Sequence, residues 1–563
     1  MNKKIKPAIF IAMNVLLVFN LLVYFGIRSM WSGIVRYTFK PMPYILLVVL
    51  VITVLLTTVL SMNKKSPLLL IIWNGLLNVL FLGLDAYIIS LTTEATHYFI
   101  REFCYGLFYI AIIAALVILG TVIPKTSWFQ KKWVPSAFLV IIFILGIFIR
   151  FDITLFNGID KTPVVYAVED TYQITFTTQA KGEAWVVIDG VEYNDTYAGY
   201  RETESRIHKI TVPMEVLDNA GEYTVYTRAM ILRGPYESLQ GETISKTYNW
   251  KGVNEDDGIN YYVLSDNHNT SKTPLMAASY WGDALDMLIC CGDTASWIDR
   301  DADLTQILYL ASDSTKGEIP VIYARGNHET KGVKAHEYYN YVGAKGEDFY
   351  YTFRIGSIWG IVLDIGEDHG DDFIEYCGVS KFDAYREEQI AFLDEVLANA
   401  EKEFNAEGVV HRIAVSHIPL TIKYNDDYAG KYKDAWVDRL NQMNISILYC
   451  GHVHELMFID PVFEDGSTLT QVVEYSGKEE NNSSRIMTNA NFPSILVSKR
   501  GEEQSPQDEE KIFDTGFIGL AVTVNKDETI MKYTDEEGNI IETRSPWFSN
   551  IEYGKEIRVP NKR

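Results

Sequence analysis

Residues 319–329 read IPVIYARGNHE. The first half is short, apolar and β-branched, the composition of a strand buried on both faces. The second half breaks at Gly326 and at once presents Asn327 and His328, side chains that coordinate cations and move protons. Four further runs repeat this design. INYYVLSDNH (259–268) ends in Asp266 and His268, whose side chains, two apart in extended chain, point the same way. LDMLICCGD (285–293) ends in Asp293 after Gly292, HRIAVSH (411–417) in His417, and NISILYCGHVH (444–454) in His452 and His454 after Gly451. A lone Asp or Asn after a strand is usually a turn former, and a lone His usually completes a hydrogen bond. Five such clusters at five strand ends point instead to one site at the edge of a layered α/β fold, where strand ends carry function.

The donor set fixes the chemistry. Carboxylate and amide oxygens mixed with imidazoles, the types found among Asp266, His268, Asp293, Asn327, His328, His417, His452 and His454, suit divalent Mn, Fe, Zn or Co. No thiolate motif selects a softer metal. Two such ions about 3.5–4 Å apart can orient phosphate oxygens and offset charge during in-line attack.

The ordered pattern D-x-H, G-D, G-N-H-E, a lone His after a strand, and G-H-x-H closely resembles the calcineurin-like metallophosphoesterase family over about residues 257–460. Between the motifs, YYTFRIGSIWGIVLDIG (350–366) resembles the family's strand pair and REEQIAFLDEVL (386–397) its following helix. The resemblance implies a central β-sandwich flanked by helices. It also implies a dinuclear centre with a bridging hydroxide: Asp266, His268 and His454 on one ion, Asn327, His417 and His452 on the other, Asp293 between them, and His328 beside the leaving group. A β-rich unit preceding the catalytic domain also resembles purple acid phosphatases. Their iron-binding Tyr is replaced here by Ser296, which favours a colourless pair of divalent ions. Arg325, next to the G-N-H-E motif, is a candidate contact for substrate phosphate, or else a solvated surface group.

The rest of the chain divides by composition. Residues 1–150 carry 9 Lys and 4 Arg against 1 Asp and 2 Glu, so of the chain's 50 basic and 73 acidic groups, 37 and 70 lie beyond. That acidic excess argues against nucleic acid as a partner. Five apolar stretches, near 8–27, 43–61, 67–90, 104–123 and 134–150, approach the length that crosses a bilayer. They predict a five-span α-helical membrane bundle. Lys and Arg are more numerous near the ends that lie inside if the N-terminus is cytoplasmic, so the catalytic domain is expected outside the cytoplasm, on a multi-pass cell-membrane protein in contact with lipid. Asn74, Asn78 and Asp85 share one face of the third stretch, for hydrogen bonding between helices or for a polar cavity. From 156 to 252 alternating runs and the Asp189-Gly190 turn predict a fibronectin- or immunoglobulin-like β-sandwich acting as a spacer or wall. The expected order is thus a membrane domain (1–155), a β-sandwich (156–252), an α/β metallophosphoesterase domain (257–545) and a tail (546–563). Five Cys in 563 residues exclude a disulfide framework.

The leading expectation is a membrane-anchored hydrolase of phosphate monoesters, with a phosphorylated small molecule, lipid or cell-envelope component as substrate. The alternatives are a phosphodiesterase acting on a lipid-linked or envelope substrate, and a non-catalytic sensor of a phosphorylated ligand.

Overall fold

The computed structural model describes residues 157–561, except 234–237, 254, 256–257, 374–375, 377, 424–428, 455, 460–469, 473–485, 488, 501–515 and 542–555. Two sheets form its centre. The first has the order Ile557–Pro560, Glu528–Thr534, Phe517–Val524, Ile259–Leu264, Met287–Cys290, Pro320–Tyr323, Val164–Val168, Thr171–Thr177, Ile207–Pro213, with Lys499–Arg500 pairing on Phe517–Val524. The second runs Tyr351–Ile355, Ile358–Val362, His411–Val415, Ile447–Cys450, Ser494–Leu496, Met457–Ile459, Thr470–Val472. The inner strands Ile259–Leu264, Met287–Cys290 and Pro320–Tyr323 are parallel, as are Ile358–Val362, His411–Val415, Ile447–Cys450 and Ser494–Leu496. These strands carry the motif runs, so their C-terminal ends lie along one edge of each sheet.

Alternation within the second sheet sets the layers. Ile358, Val362, Ile413, Val415, Ile447 and Tyr449 join the core shared with the first sheet. Their neighbours Trp359, Ile361, Ala414 and Leu448 face Phe392 and Leu393 of helix Phe382–Ala398 and Trp436 and Leu440 of helix Gly430–Gln442. This is the period-two pleat of strands covered on both faces. Helices Lys272–Ala278 and Gln306–Thr315 pack on the first sheet. A hydrogen bond of 2.7 Å joins the Tyr261 and Tyr449 hydroxyls across the interior.

The β-rich N-terminal region does not stand apart. Its Asp189-Gly190 turn has φ of 49° and 78°, both left-handed, and closes the hairpin of Gly182–Ile188 with Val191–Asn194. Those strands, with Glu222–Arg233 and Ser238–Asn249, make a separate four-stranded sheet. Val164–Val168, however, pairs in parallel with Pro320–Tyr323, Val165 opposite Pro320, so three strands of this region continue the catalytic sheet. They brace the strand that leads into G-N-H-E. Phe517–Val524 and Glu528–Thr534 also join this first sheet, beside Ile259–Leu264.

The expected fold class needs correction. Among the described residues six α-helices occur, and none is long and apolar enough to cross a membrane. The five-span bundle and the multi-pass membrane location therefore do not stand as readings of this structure. The stretches behind them, with Asn74, Asn78 and Asp85, lie outside the described residues.

His411 supplies a test of this packing. It is fully buried in the second sheet, with the Thr529 hydroxyl 3.3 Å from Nε2, and burial pulls its imidazole down to about 3. The unfolded chain then binds the extra proton as pH falls below about 6.5, so the stabilisation is complete above that pH and is lost between about 6.5 and 3, by up to about 1.4 kcal/mol per unit. Thermal unfolding of His411→Gln from pH 7 to 4 is expected to show a shallower acid-side loss than wild type; parallel curves would contradict this.

Candidate metal centre

The seven sequence-derived ligands converge. Coordinating atoms of Asp266, His268, Asp293 and His454 lie within 4.8 Å of one another, and so do those of Asp293, His417 and His452. Asp293 belongs to both groups. Its Oδ2 lies 3.2 Å from His417 Nε2 and 3.7 Å from His268 Nε2. His454 Nε2 is 3.3 Å from Asp266 Oδ1 and 3.1 Å from His268 Nε2. Asn327 Oδ1 completes the second group, 3.2 Å from His452 Nδ1.

The backbone is strained to achieve this. Asp266, His268, Asp293, His452 and His454 all have left-handed φ, between 44° and 75°. Each such residue costs about 1–2 kcal/mol, and strain of this kind gathers where side chains must converge. Gly326 lets the motif loops nest: a Cβ there would lie 2.1 Å from Asp293 Oδ1. At Gly451 it would lie 1.9 Å from Ser265 Oγ.

Hydrogen bonds aim the donors. His417 Nδ1 donates to the Cys291 carbonyl at 2.6 Å, which turns Nε2, a fully buried atom with no hydrogen-bond partner, toward the cluster. That atom faces Asp293 Oδ2 without hydrogen-bond alignment. Asp368 accepts from His452 Nε2 at 3.1 Å, and Glu367 accepts from Asn327 Nδ2 at 3.2 Å. His452 Nδ1 and Asn327 Oδ1 are thereby turned to the same point, 3.2 Å apart. Donor atoms about 3 Å apart have the spacing of the edges of a coordination shell with bonds of about 2.1 Å.

Titration behaviour agrees. Burial works to lower the His417 imidazole, yet Asp293, Asp266 and Glu329 overrule it and push it up to about 10. Burial works to raise the Asp293 carboxyl, but His417, His328 and His268 hold it well below the usual range. His268 is driven down to about 3, chiefly by burial. The surroundings call for positive charge at the centre while keeping a ligand imidazole neutral. A pair of divalent cations would meet both demands, with Asp293 common to the two groups of donors.

His328 stands beside this cluster. Its Nδ1 donates to the Ser296 carbonyl at 2.9 Å, and its Nε2 lies 3.9 Å from Asp293 Oδ2, on a side chain 33% exposed. Ser296 thus contributes its backbone, not its side chain. Arg325 is drawn elsewhere. Its guanidinium pairs with Asp364 Oδ2 at 2.6 Å and lies over the Phe349 ring, so it ties the end of the motif strand to the loop that follows Ile358–Val362.

Three carboxylates escaped the sequence reading. Glu329, fully buried, accepts from the backbone N–H groups of Asp293, Ala295 and Gly326 at 2.9–3.0 Å and from the Thr294 hydroxyl at 2.7 Å. It welds the G-D loop to G-N-H-E. Glu367 and Asp368 follow strand Ile358–Val362 in the run LDIGEDHG, a sixth apolar strand ending in Gly and ligand-type residues. The pattern that found the other five clusters was therefore present there too.

Residues 259–456 match the family model described as calcineurin-like phosphoesterase. No curated protein matches the sequence. Similar solved structures include purple acid phosphatase PPD1 from yellow lupin (Lupinus luteus), at 13% identity over 71% of this chain and 74% of that one, TM-score 0.42. PhoD follows, at 10% identity over 71% and 95%, TM-score 0.39. GAP50, the anchor in the inner membrane complex of Plasmodium, is similar at 12% identity over 51% and 88%, TM-score 0.30.

Glu329→Gln tests the weld. An amide there presents N–H to a site already crowded with donors, and each buried donor left unpaired costs about 1–3 kcal/mol. A lower unfolding free energy in urea, together with reduced metal uptake by atomic absorption, is expected; wild-type values for both would refute the assignment.

Proposed function

We propose that this metallophosphoesterase, a metal-dependent phosphohydrolase with a dinuclear centre, hydrolyses phosphate monoesters. The observation that carries the proposal is the composition of the inner shell. Two carboxylates, four imidazoles and one amide around two divalent ions would leave a net charge of about +2, and about +1 once a hydroxide is bound, which attracts an anionic phosphate ester.

When bound, the ions supply Lewis acidity and a nucleophile usable at neutral pH. The chain's residues do the rest. Asp293, common to both groups of donors, would contribute to holding both ions. The Cys291 carbonyl, Asp368 and Glu367 hold His417, His452 and Asn327 in their ligating orientations. His328, its Nδ1 tied to Ser296, keeps Nε2 for the leaving oxygen and donates the proton there. Its place as the partly open imidazole beside Asp293 favours turnover over passive binding of a phosphorylated ligand. A phosphorylated small molecule is the substrate class proposed.

Three measurements test this reading. Chelation should abolish hydrolysis of p-nitrophenyl phosphate, and Mn, Fe, Zn or Co added singly should restore it. The bis-p-nitrophenyl ester should turn over more slowly than the monoester; the reverse ranking would make the enzyme a diesterase. His328→Ala should lower kcat by about 10²–10⁴ with metal content unchanged. Full activity in that variant would remove His328 from the mechanism.

A further inference from the structure

Beyond the inner ligands, the second half of the centre has a support of its own. Glu367 and Asp368 are consecutive, and each holds a different ligand of that half: Glu367 the Asn327 amide at 3.2 Å, Asp368 the His452 Nε2 at 3.1 Å. Glu367 is fully buried and fixed by the Tyr376 hydroxyl at 2.8 Å and Lys331 Nζ at 3.3 Å. Their loop is clamped from behind by helix Phe382–Ala398. Arg386, fully buried, donates from Nε to the Ile365 carbonyl at 2.9 Å and also bonds the Glu367 carbonyl. Gln389 makes two hydrogen bonds with the Asp364 backbone, donating from Nε2 to its carbonyl at 2.6 Å and accepting from its N–H at 3.0 Å. The chain of support runs from helix to loop to carboxylates to ligands, with no exposed or free-swinging member before Asp368.

We propose that Glu367 and Asp368 are positioning residues that set the metal affinity of the Asn327/His417/His452 half, and of that half selectively. The inference rests on the dinuclear reading above. Its mechanism is electrostatic and geometric. A carboxylate accepting from the far nitrogen of His452 fixes the tautomer and raises the electron density on Nδ1, and one accepting from the Asn327 amide turns Oδ1 to the same point. Removing such a partner typically weakens metal binding about 10–100-fold. The Asp266/His268/His454 half receives no contact from either carboxylate among the described hydrogen bonds.

The test is calorimetric titration of the chelator-stripped full chain with Mn²⁺, with the exchange-coupled Mn²⁺ signal in electron paramagnetic resonance as a second readout. Asp368→Ala is the main variant, because Asp368 is 27% exposed and tolerates truncation better than buried Glu367. The wild type should bind two ions. Asp368→Ala should keep the affinity of one and weaken the other about 10–100-fold, with loss of the coupled signal at Mn²⁺ concentrations that saturate wild type. Asp368→Asn, which retains an acceptor, should fall between, and the ¹⁵N shifts of His452 should report a changed tautomer in the alanine variant. In an Asn327→Ala background, Asp368→Ala should produce little further change. Equal weakening of both ions, or wild-type affinities for both, overturns the proposal. A wild-type chain that binds fewer than two ions overturns the dinuclear reading and this one with it.

Discussion

The buried charge of Asp293 is the constraint around which the site is organised. Its carboxylate is 2% exposed, and an unpaired charge so deep costs several kcal/mol. It is tolerated because Oδ1 accepts from the His328 backbone N–H at 3.0 Å while Oδ2 faces His417, His268 and His328 within 4 Å. Those imidazoles cannot all serve as proton donors. His268, driven down by burial, offers a lone pair instead. A cluster that must remain anionic at its middle and lone-pair-rich at its walls is completed by cations.

The fold supplies the rigidity this requires. Every ligand sits within four residues of the end of a parallel strand that is buried on both faces. Left-handed backbone at five of the ligands is the local cost, held in place by the Glu329 hydrogen bonds and by glycines that let the loops touch. The N-terminal strand Val164–Val168 shares in this work, since it covers the edge of the strand leading to Asn327 and His328.

What the sequence revealed, and what it concealed, follows from range. The candidate ligands were legible as a group because each ends an apolar run, and the structure brings them together. Arg325 was ambiguous because its partner Asp364 lies 39 residues away, and only the folded neighbourhood shows the guanidinium already committed. The continuity of the N-terminal strands with the catalytic sheet depends on Val165 meeting Pro320, a pairing with no local signature. Glu329 was visible as a letter of G-N-H-E, but its task is to accept from backbone N–H groups, which all residue types share. Glu367 and Asp368 were passed over although their run repeats the strand-end pattern, because the expected ligand set was already full. Apolar length alone predicted membrane helices, and no described helix has that character.

The distribution of ligands between the sheets has a consequence for stability. Asp266, His268, Asp293 and Asn327 follow strands of the first sheet, whereas His417, His452 and His454 follow strands of the second. Each half of the centre therefore draws on both sheets, and neither can form unless the two are in register. The Tyr261–Tyr449 hydroxyl pair enforces that register from inside the core at 2.7 Å, and the cations would enforce it from the edge. Ligands that bind only the folded chain stabilise it in proportion to the logarithm of their concentration over Kd. Metal loading is thus coupled to the packing of the sandwich, and proton release accompanies it wherever a cation replaces a proton on a ligand imidazole. Folding, protonation and metal binding converge on the same few atoms, since the group that makes the site costly to bury without cations is the one that makes it bind them.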